Sequence, residues 1–430
     1  MYTFKILLFG AFLMSFTTFK AQNQNISELF KALENRAVSE TDLIKIKQAE
    51  AYKENIKSQH YPIIDGFGKY DYSSIPSGMY PVPPNDLFPL IQNQNIAQPF
   101  SSHIFRMGIG ISMPVFNKSL NTMSQQANYL VNSAKEQQKI NLIKNQAVIL
   151  ANNANLQYIE NLSLALEKKR QSLEKTKEII TVKVRNGRSP GALLYNIDNS
   201  LNEISLTLDE LQIQKNEIKA TLLALTGISI QTSYPMELIE PLEKQEIGST
   251  RALQEKIKAN EQLLKAEKEK RLPSVLLQSN YTYNFAPAYN NDKGIGNDLL
   301  LAGIMVKVPI FDKSLNAKIN SQMLQLEESQ NELAKMNDEL EAQKNQLQEN
   351  LVVLENSKSL YENTIANKEQ LRQIAIKSYE IEQMSIEDYL KYEDDVVLEK
   401  ARLYKNETQR WQIIAKLAVI YGIDLNTIVK

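Results

Sequence analysis

The 430-residue chain contains no cysteine. That excludes disulfides, thiolate metal sites, a cysteine nucleophile and a lipid-modified N-terminal cysteine. Histidine is nearly absent too: His60 and His103 are the only two. Neither has the i, i+4 partner of a zinc-binding helix. No glycine-rich phosphate loop occurs. The carboxylates are scattered along helical patterns, without a pocket to perturb them. An enzyme is therefore not expected, nor a metal site or a cofactor. A net charge of −1 gives no pull on nucleic acid. Glycine and proline, 14 of each, punctuate the chain sparsely, as in proteins built from long helices.

Long apolar runs are also missing. Lys5 precedes a short apolar core, Ile6 to Phe16, which is too short to span a bilayer but has the length of a signal h-region. Residues 1–21 read as a cleaved secretory signal, with the cut after Ala21; a buried N-terminal helix is the alternative. No later stretch approaches about 18 consecutive apolar residues. An exported chain without a membrane-spanning helix is expected.

What is present is a repeat. Met113 to Asn121, Met-Pro-Val-Phe-Asn-Lys-Ser-Leu-Asn, returns as Val308 to Asn316, Val-Pro-Ile-Phe-Asp-Lys-Ser-Leu-Asn, 195 residues later. Pro114 to Gly227 and Pro309 to Gly422 are both separated by 113 residues. Upstream, Pro62…Tyr70-Asp71-Tyr72 matches Pro273…Tyr281-Thr282-Tyr283 at an offset of 211. The difference falls between two strands, where a loop absorbs it. The chain thus divides into a first repeat, 22–230, a linker, 231–248, and a second repeat, 249–430.

Each repeat follows one plan. Residues 26–60 read as one helix, ended ahead of Pro62. Strands follow over 62–72 and 104–116, and over 273–285 and 299–311 in the second repeat. The proline-rich run 73–103 between the first two reads as a long loop. The strands alternate. Phe105, Met107, Ile109 and Ile111 share one face, with Arg106 and Gly110 opposite; Ile304 and Val306 oppose Gly303 and Lys307. Tyr70, Tyr72, Tyr281 and Tyr283 supply aromatics. Ten-residue strands of this kind fit a transmembrane β-barrel; an antiparallel sheet covered on one side is the alternative. Helical patterns then run over 118–226 and 313–421, each broken by one turn. The first turn is 186–191, and the second lies near 381–385. Heptad seams such as Leu326, Leu333, Leu340, Leu347 and Leu354 predict antiparallel coiled-coil hairpins about 100 Å long.

Four strands are too few to close a barrel, and open edges are costly in lipid. The strands must then be shared among identical copies in a ring. The order helix–strand–strand–long hairpin, twice over, with Pro-x-Phe-x-x-Ser opening each long helix, resembles the TolC family of outer-membrane efflux channels. The resemblance spans residues 26–425. It implies a mainly α fold with a small β part: a homotrimer whose twelve-stranded β-barrel lies in outer-membrane lipid and continues into a periplasmic α-helical barrel. It implies a passive exit duct of a tripartite efflux or type I secretion system in a Gram-negative cell. The partners would be a periplasmic adaptor and an inner-membrane pump. A periplasmic coiled-coil structural or adaptor protein without a pore is the competing expectation.

The resemblance also implies a constriction at the hairpin tips, where the family often shows Tyr-x-x-Gly-x-Arg-x-x-x-Asp. Tyr379 and Asp388 match; Glu382 replaces the glycine, Met384 the arginine, and Lys391 a second acid one turn on. An ordinary seam tyrosine and a solvated carboxylate is the alternative for Tyr379 and Asp388. Gly187, Ser189, Pro190, Met384 and Ser385 are the expected adaptor-contact tips. Tyr70, Tyr72, Phe105, Met107, Ile109, Ile111, Tyr281, Tyr283, Ile304 and Val306 are the expected lipid-facing residues.

Overall fold

The computed structural model describes residues 25–240, 242 and 245–430. The proposed signal segment lies outside the described residues, as does Pro241 of the linker.

The element order repeats. Helices α1 (Ser27–Glu34) and α2 (Ala37–Ser58) lead into strand β1 (Ile63–Gly78), helix α3 (Pro84–Gln92) and strand β2 (Phe100–Phe116). Helices α4 (Lys118–Arg185) and α5 (Ala192–Thr226) complete the first half. The second half runs α6 (Arg251–Glu269), β3 (Ser274–Pro287), β4 (Gly294–Lys307), α7 (Lys313–Glu380) and α8 (Ile386–Tyr421), then the short α9 (Leu425–Ile428). Helices α4 and α7 are each 68 residues, about 100 Å at 1.5 Å per residue.

The repeated Pro-x-Phe motif sets the start of both. Asn117 and Asp312 are the N-caps, and their side chains accept from the N–H groups of Leu120 and Leu315. These bonds satisfy donors that a helix start otherwise leaves free. They also hold the Asp312 carboxyl below its ordinary pKa, chiefly through the Leu315 N–H. Both long helices end alike. Arg188 N–H donates back to Lys183 O, and Gln383 N–H to Ser378 O, both at 2.8 Å. This closing bond needs a left-handed residue. Gly187 (φ 69°) supplies it in the first turn and Glu382 (φ 61°) in the second.

The four strands form one antiparallel sheet in the order β1-β2-β3-β4. β1 and β4 are its edges. The helices form a strip of matching order. α4 packs against α2 and α5 on one side and against α6 and α8 on the other; α7 packs against α6 and α8. The strip thus has an α2/α5 edge and an α7 edge. Twenty-one residues of α4 are buried and only six of α7.

Several expectations need correction. The helix expected over 26–60 breaks at Asn35–Arg36. The apolar face Ile26, Leu29, Phe30 and Leu33 packs into the main core, and the chain must turn to lay α2 along α4. The run 73–103 is not all loop. β1 extends to Gly78 through Pro76, which sits at a register shift between Tyr72 and Ser77 on an edge strand, where a missing N–H is tolerated. A nine-residue helix, α3, begins at Pro84, and proline suits a helix start. β4 runs 294–307 instead of 299–311, because Lys307 pairs with Ser274, the first residue of β3. No strand remains beyond it for 308–311 to pair with. Both expected antiparallel hairpins form, α4 with α5 and α7 with α8, and α8 packs against α4 as well. Of the heptad leucines on α7, only Leu347 is buried.

The largest core lies midway along α4. Phe30, Ile149, Leu150, Leu222, Tyr234, Trp411 and Val429 meet there. The linker is more ordered than expected. Leu238 bridges Val429, and Glu237 and Lys430 exchange backbone bonds of 2.8 and 2.9 Å.

Candidate functional site

Two regions carry the expected functional residues: the sheet, and the far ends of the long helices.

Register settles which strand residues share a face. Ile109 opposes Gly66 and Tyr281, and Tyr281 opposes Leu300. Met107 opposes Gly68 and Tyr283; Phe105 opposes Tyr70 and Phe285. Ile111, Ile304 and Val306 follow in phase, and so does Tyr72. The ten residues expected to meet lipid therefore stand on one face, and all are solvent-exposed in the single chain. The aromatics gather at the end away from the long helices. The Tyr70 and Phe105 rings are 4.8 Å apart, and Tyr72 lies 5.2 Å from His103.

The opposite face is mixed: it carries the charged and amide side chains of β1–β3 together with Ile63, Phe67, Leu301 and Met305. Arg106 pairs with Asp71 and donates to Asn284 Oδ1 at 3.2 Å. Lys69 holds the other Asp71 oxygen at 2.7 Å. Gly108 is required here, since a Cβ would lie 2.2 Å from the Tyr281 carbonyl oxygen. Among the described residues no helix is long and apolar enough to cross a membrane, which says nothing of strands.

At the helix ends the expected constriction residues separate. Tyr379 is buried and stacks on Tyr389 at 5.9 Å. Burial raises its phenol pKa. Asp388 is exposed and serves as a capping acid for α8. Its N–H donates to the N-cap Ser385 Oγ at 3.1 Å, and Ser385 Oγ donates to Asp388 Oδ2 at 2.8 Å; the first is the N-cap bond of a capping box, while the carboxylate takes the serine hydroxyl instead of its N–H. Lys391 pairs with Asp388 Oδ1 at 3.0 Å. That hydrogen bond, then the one from Ser385, hold the Asp388 carboxyl below its usual pKa. Of the turn residues, Gly187, Pro190 and Ser385 are exposed, while Ser189 and Met384 are half-buried.

Sequence reasoning missed the groups that join the two turns. Lys183 on α4 pairs with Glu382 at 3.4 Å and sits 5.0 Å above the Tyr379 ring. One lysine thus ties the first turn to the second. Deeper in, Glu393 of α8 is buried and accepts three bonds: from Ser172 on α4 (2.8 Å), Tyr389 (2.5 Å) and Arg372 on α7 (3.1 Å). Burial, then the bond to Glu393, push the Tyr389 phenol up to about 12. Glu399, also buried, takes Lys368 and Arg402 at 3.1 and 3.2 Å. Buried carboxylates persist only with such partners. The network pins α7, α8 and α4 together. Its one sequence signal is the i, i+4 placement of Tyr389 and Glu393, which is weak alone.

With this geometry established, three solved structures are similar over most of their length. The outer membrane channel CmeC of Campylobacter jejuni is 15% identical, with 92% of this chain and 84% of that one covered and a TM-score of 0.72. The outer membrane protein VceC of Vibrio cholerae is 14% identical, with 92% and 96% covered and a TM-score of 0.76. The MtrE outer membrane channel of Neisseria gonorrhoeae, in its open state, is 12% identical, with 93% and 89% covered and a TM-score of 0.72. No family model and no curated protein matches the sequence. At these identities the likeness shows the fold. It is a TolC-like channel fold, mostly helical with a small antiparallel sheet.

Proposed function

We propose that the chain is one copy of a ring-shaped, passive outer-membrane channel that serves as the exit duct of an efflux or secretion assembly. The observation that carries this is the sheet. It has one mainly apolar face, one mixed face that carries the sheet's basic side chains, and two unpaired edges, β1 and β4. Open edges leave N–H and C=O groups unpaired, at several kcal/mol each in lipid. Pairing β4 of one copy with β1 of the next removes both edges and closes a barrel with water inside.

The helical strip supports the same closure. β4 leads into edge helix α7, and β1 follows edge helix α2, so both layers offer the same head-to-tail joint. α7 presents Val353, Leu360 and Ile374, one and then two heptads apart, all exposed. α5 presents Leu206 and Ile213 likewise. Such stripes are coiled-coil seams without a partner. Three copies of four strands give twelve, above the roughly eight that the smallest outer-membrane barrels need.

On this reading the apolar strand face meets lipid, with Tyr70, Tyr72 and Tyr283 toward the outer interface and Tyr281 further into the apolar band. The long helices cross the periplasm. The two turns, Gly187 to Pro190 and Met384–Ser385, contact an adaptor that delivers cargo from an inner-membrane pump. Tyr379 helps close the tube from within the seam. Asp388 and Lys391 present a neutralised pair there instead of an acidic ring.

Fractionation of cells expressing the full chain tests the proposal. The expected result is an outer-membrane oligomer that runs as a trimer unheated and as a monomer after boiling in SDS. Soluble monomer in the periplasm would overturn it.

A further inference from the structure

We propose that the β1–β2 connection, residues 79–99, is a lid over the outer mouth of the channel, closed by contact between the α3 helices of neighbouring copies. This rests on the ring-channel reading above.

The first observation is direction. Met79 is 2% exposed and packs on Ile104 and Ala286, with Tyr80 and Ile295 alongside. Ile104 opposes Asp71, and Ala286 opposes Ile295. Both are out of phase with Phe105 and Phe285, so they stand on the mixed face. On leaving β1 the chain therefore turns across the face that would line the pore, not across the face that would meet lipid.

The second observation is that the connection is held in place. Met79 N–H donates to Pro99 O at 2.9 Å, closing its base. Asn290, from the β3–β4 turn, accepts from Gln98 N–H at 3.0 Å and donates to the Gln94 and Ile96 carbonyls at 2.9 and 2.8 Å. Tyr289 N–H donates to Phe100 O at 2.8 Å. One side chain thus clamps three backbone positions of a neighbouring loop.

The third observation is an apolar helix with nothing against it. No residue of the nine in α3 is buried, and Phe88 and Ile91 are 66% and 48% exposed. A helix this short is marginal by itself in water. Charge selects its occupant. From Ser73 to Pro99 the sole charged residue is Asp86. Identical segments meeting at a rotation axis bring like charge to like charge, and this segment has almost none to oppose. It also lacks the lysines and arginines by which an amphipathic helix grips an anionic lipid surface. The occupant is a second copy of α3.

The chain has no cysteine, so Phe88→Cys provides a single thiol per copy. Oxidation of cells expressing the full-length variant should give a disulfide-linked dimer on a non-reducing gel, since one thiol per copy joins two copies. Replacing residues 84–96 with a short glycine-serine link should raise the conductance of the purified channel in planar bilayers. A heat-modifiable trimer that forms with neither the cross-link nor the rise overturns the lid alone. The same holds if the introduced thiol is protected by lipid or freely labelled by an impermeant maleimide without cross-linking. A variant and parent that are both monomeric overturn the channel reading, and the lid with it.

Discussion

Leu300 and Leu301 are neighbours of the same type on an edge strand, both exposed in the single chain at 66% and 55%. Leu300 opposes Tyr281 on the apolar face; Leu301 opposes Asn280 on the mixed face. Both lie near the middle of β4. A lysine on the lipid face at mid-bilayer costs about 2–4 kcal/mol, whereas on the water-filled side it stays hydrated and meets no such penalty. In a ring of three copies the Leu300→Lys penalty sums to about 6–12 kcal/mol, comparable to the whole folding stability of an ordinary domain. Leu301→Lys adds a charge to a face that already carries Lys69, Arg106 and Lys307. Outer-membrane fractions run unheated and boiled on SDS gels read the outcome. Leu300→Lys should lose the trimer band, and Leu301→Lys should keep it. Equal tolerance, or the reverse order, would refute the assignment of faces.

Other outcomes follow from the same geometry. Glu393→Gln leaves Arg372 with Glu369 as its carboxylate partner; breaking a buried pair costs about 3–5 kcal/mol, reduced here to about 2–3 because Arg372 is partly exposed. Amide exchange over 386–400 should quicken while exchange in the strands is unchanged. Glu160 is lowered in pKa. Burial opposes this, but the Ser233 N–H and hydroxyl and Lys215 outweigh it. A depressed carboxylate gives stability that is present above its unfolded pKa and lost as pH falls through the folded one. Acid should therefore release the 231–234 segment from α4, and Glu160→Gln should flatten that pH dependence in urea melts. Leu360→Glu on α7 and Ile213→Glu on α5 should each cut the yield of oligomer while leaving the helical circular dichroism of the chain intact; an unaffected trimer would remove these stripes from the interface.

How much was legible follows from what each signal depends on. The repeat fixed the long helices closely, because an N-cap at Asn117 or Asp312 and a turn at 186–191 are local chemistry. Strand faces were legible because alternation is local too. The break at Asn35–Arg36 was not, since both sides are good helix and only tertiary packing bends them apart. Pro76 misled for a related reason: proline forbids a central ladder, but β1 is an edge, and edge status is a property of the sheet. The network around Glu393 was hidden because its members come from three helices far apart in sequence. Glu382 was visible as a departure from glycine, but not its contact with Lys183, which spans the two repeats.

The two halves differ most where they are most alike. α4 and α7 have the same length, the same kind of cap and the same closing turn, so they rise to the same height. Yet α4 has neighbours along both sides and α7 along one. A helix of about 100 Å with a second apolar stripe that points at nothing is poorly sustained in water, since isolated helical stability comes mainly from packing. What covers α7 must run its full height, and a small adaptor cannot do so. The α2/α5 edge of another copy has that height by construction, and it carries the same kind of unpartnered stripe. Burial of the Val353, Leu360 and Ile374 stripe is therefore expected only on assembly. Exchange protection of Leu360 and Ile374 amides should rise when monomer becomes ring, with α4 unchanged.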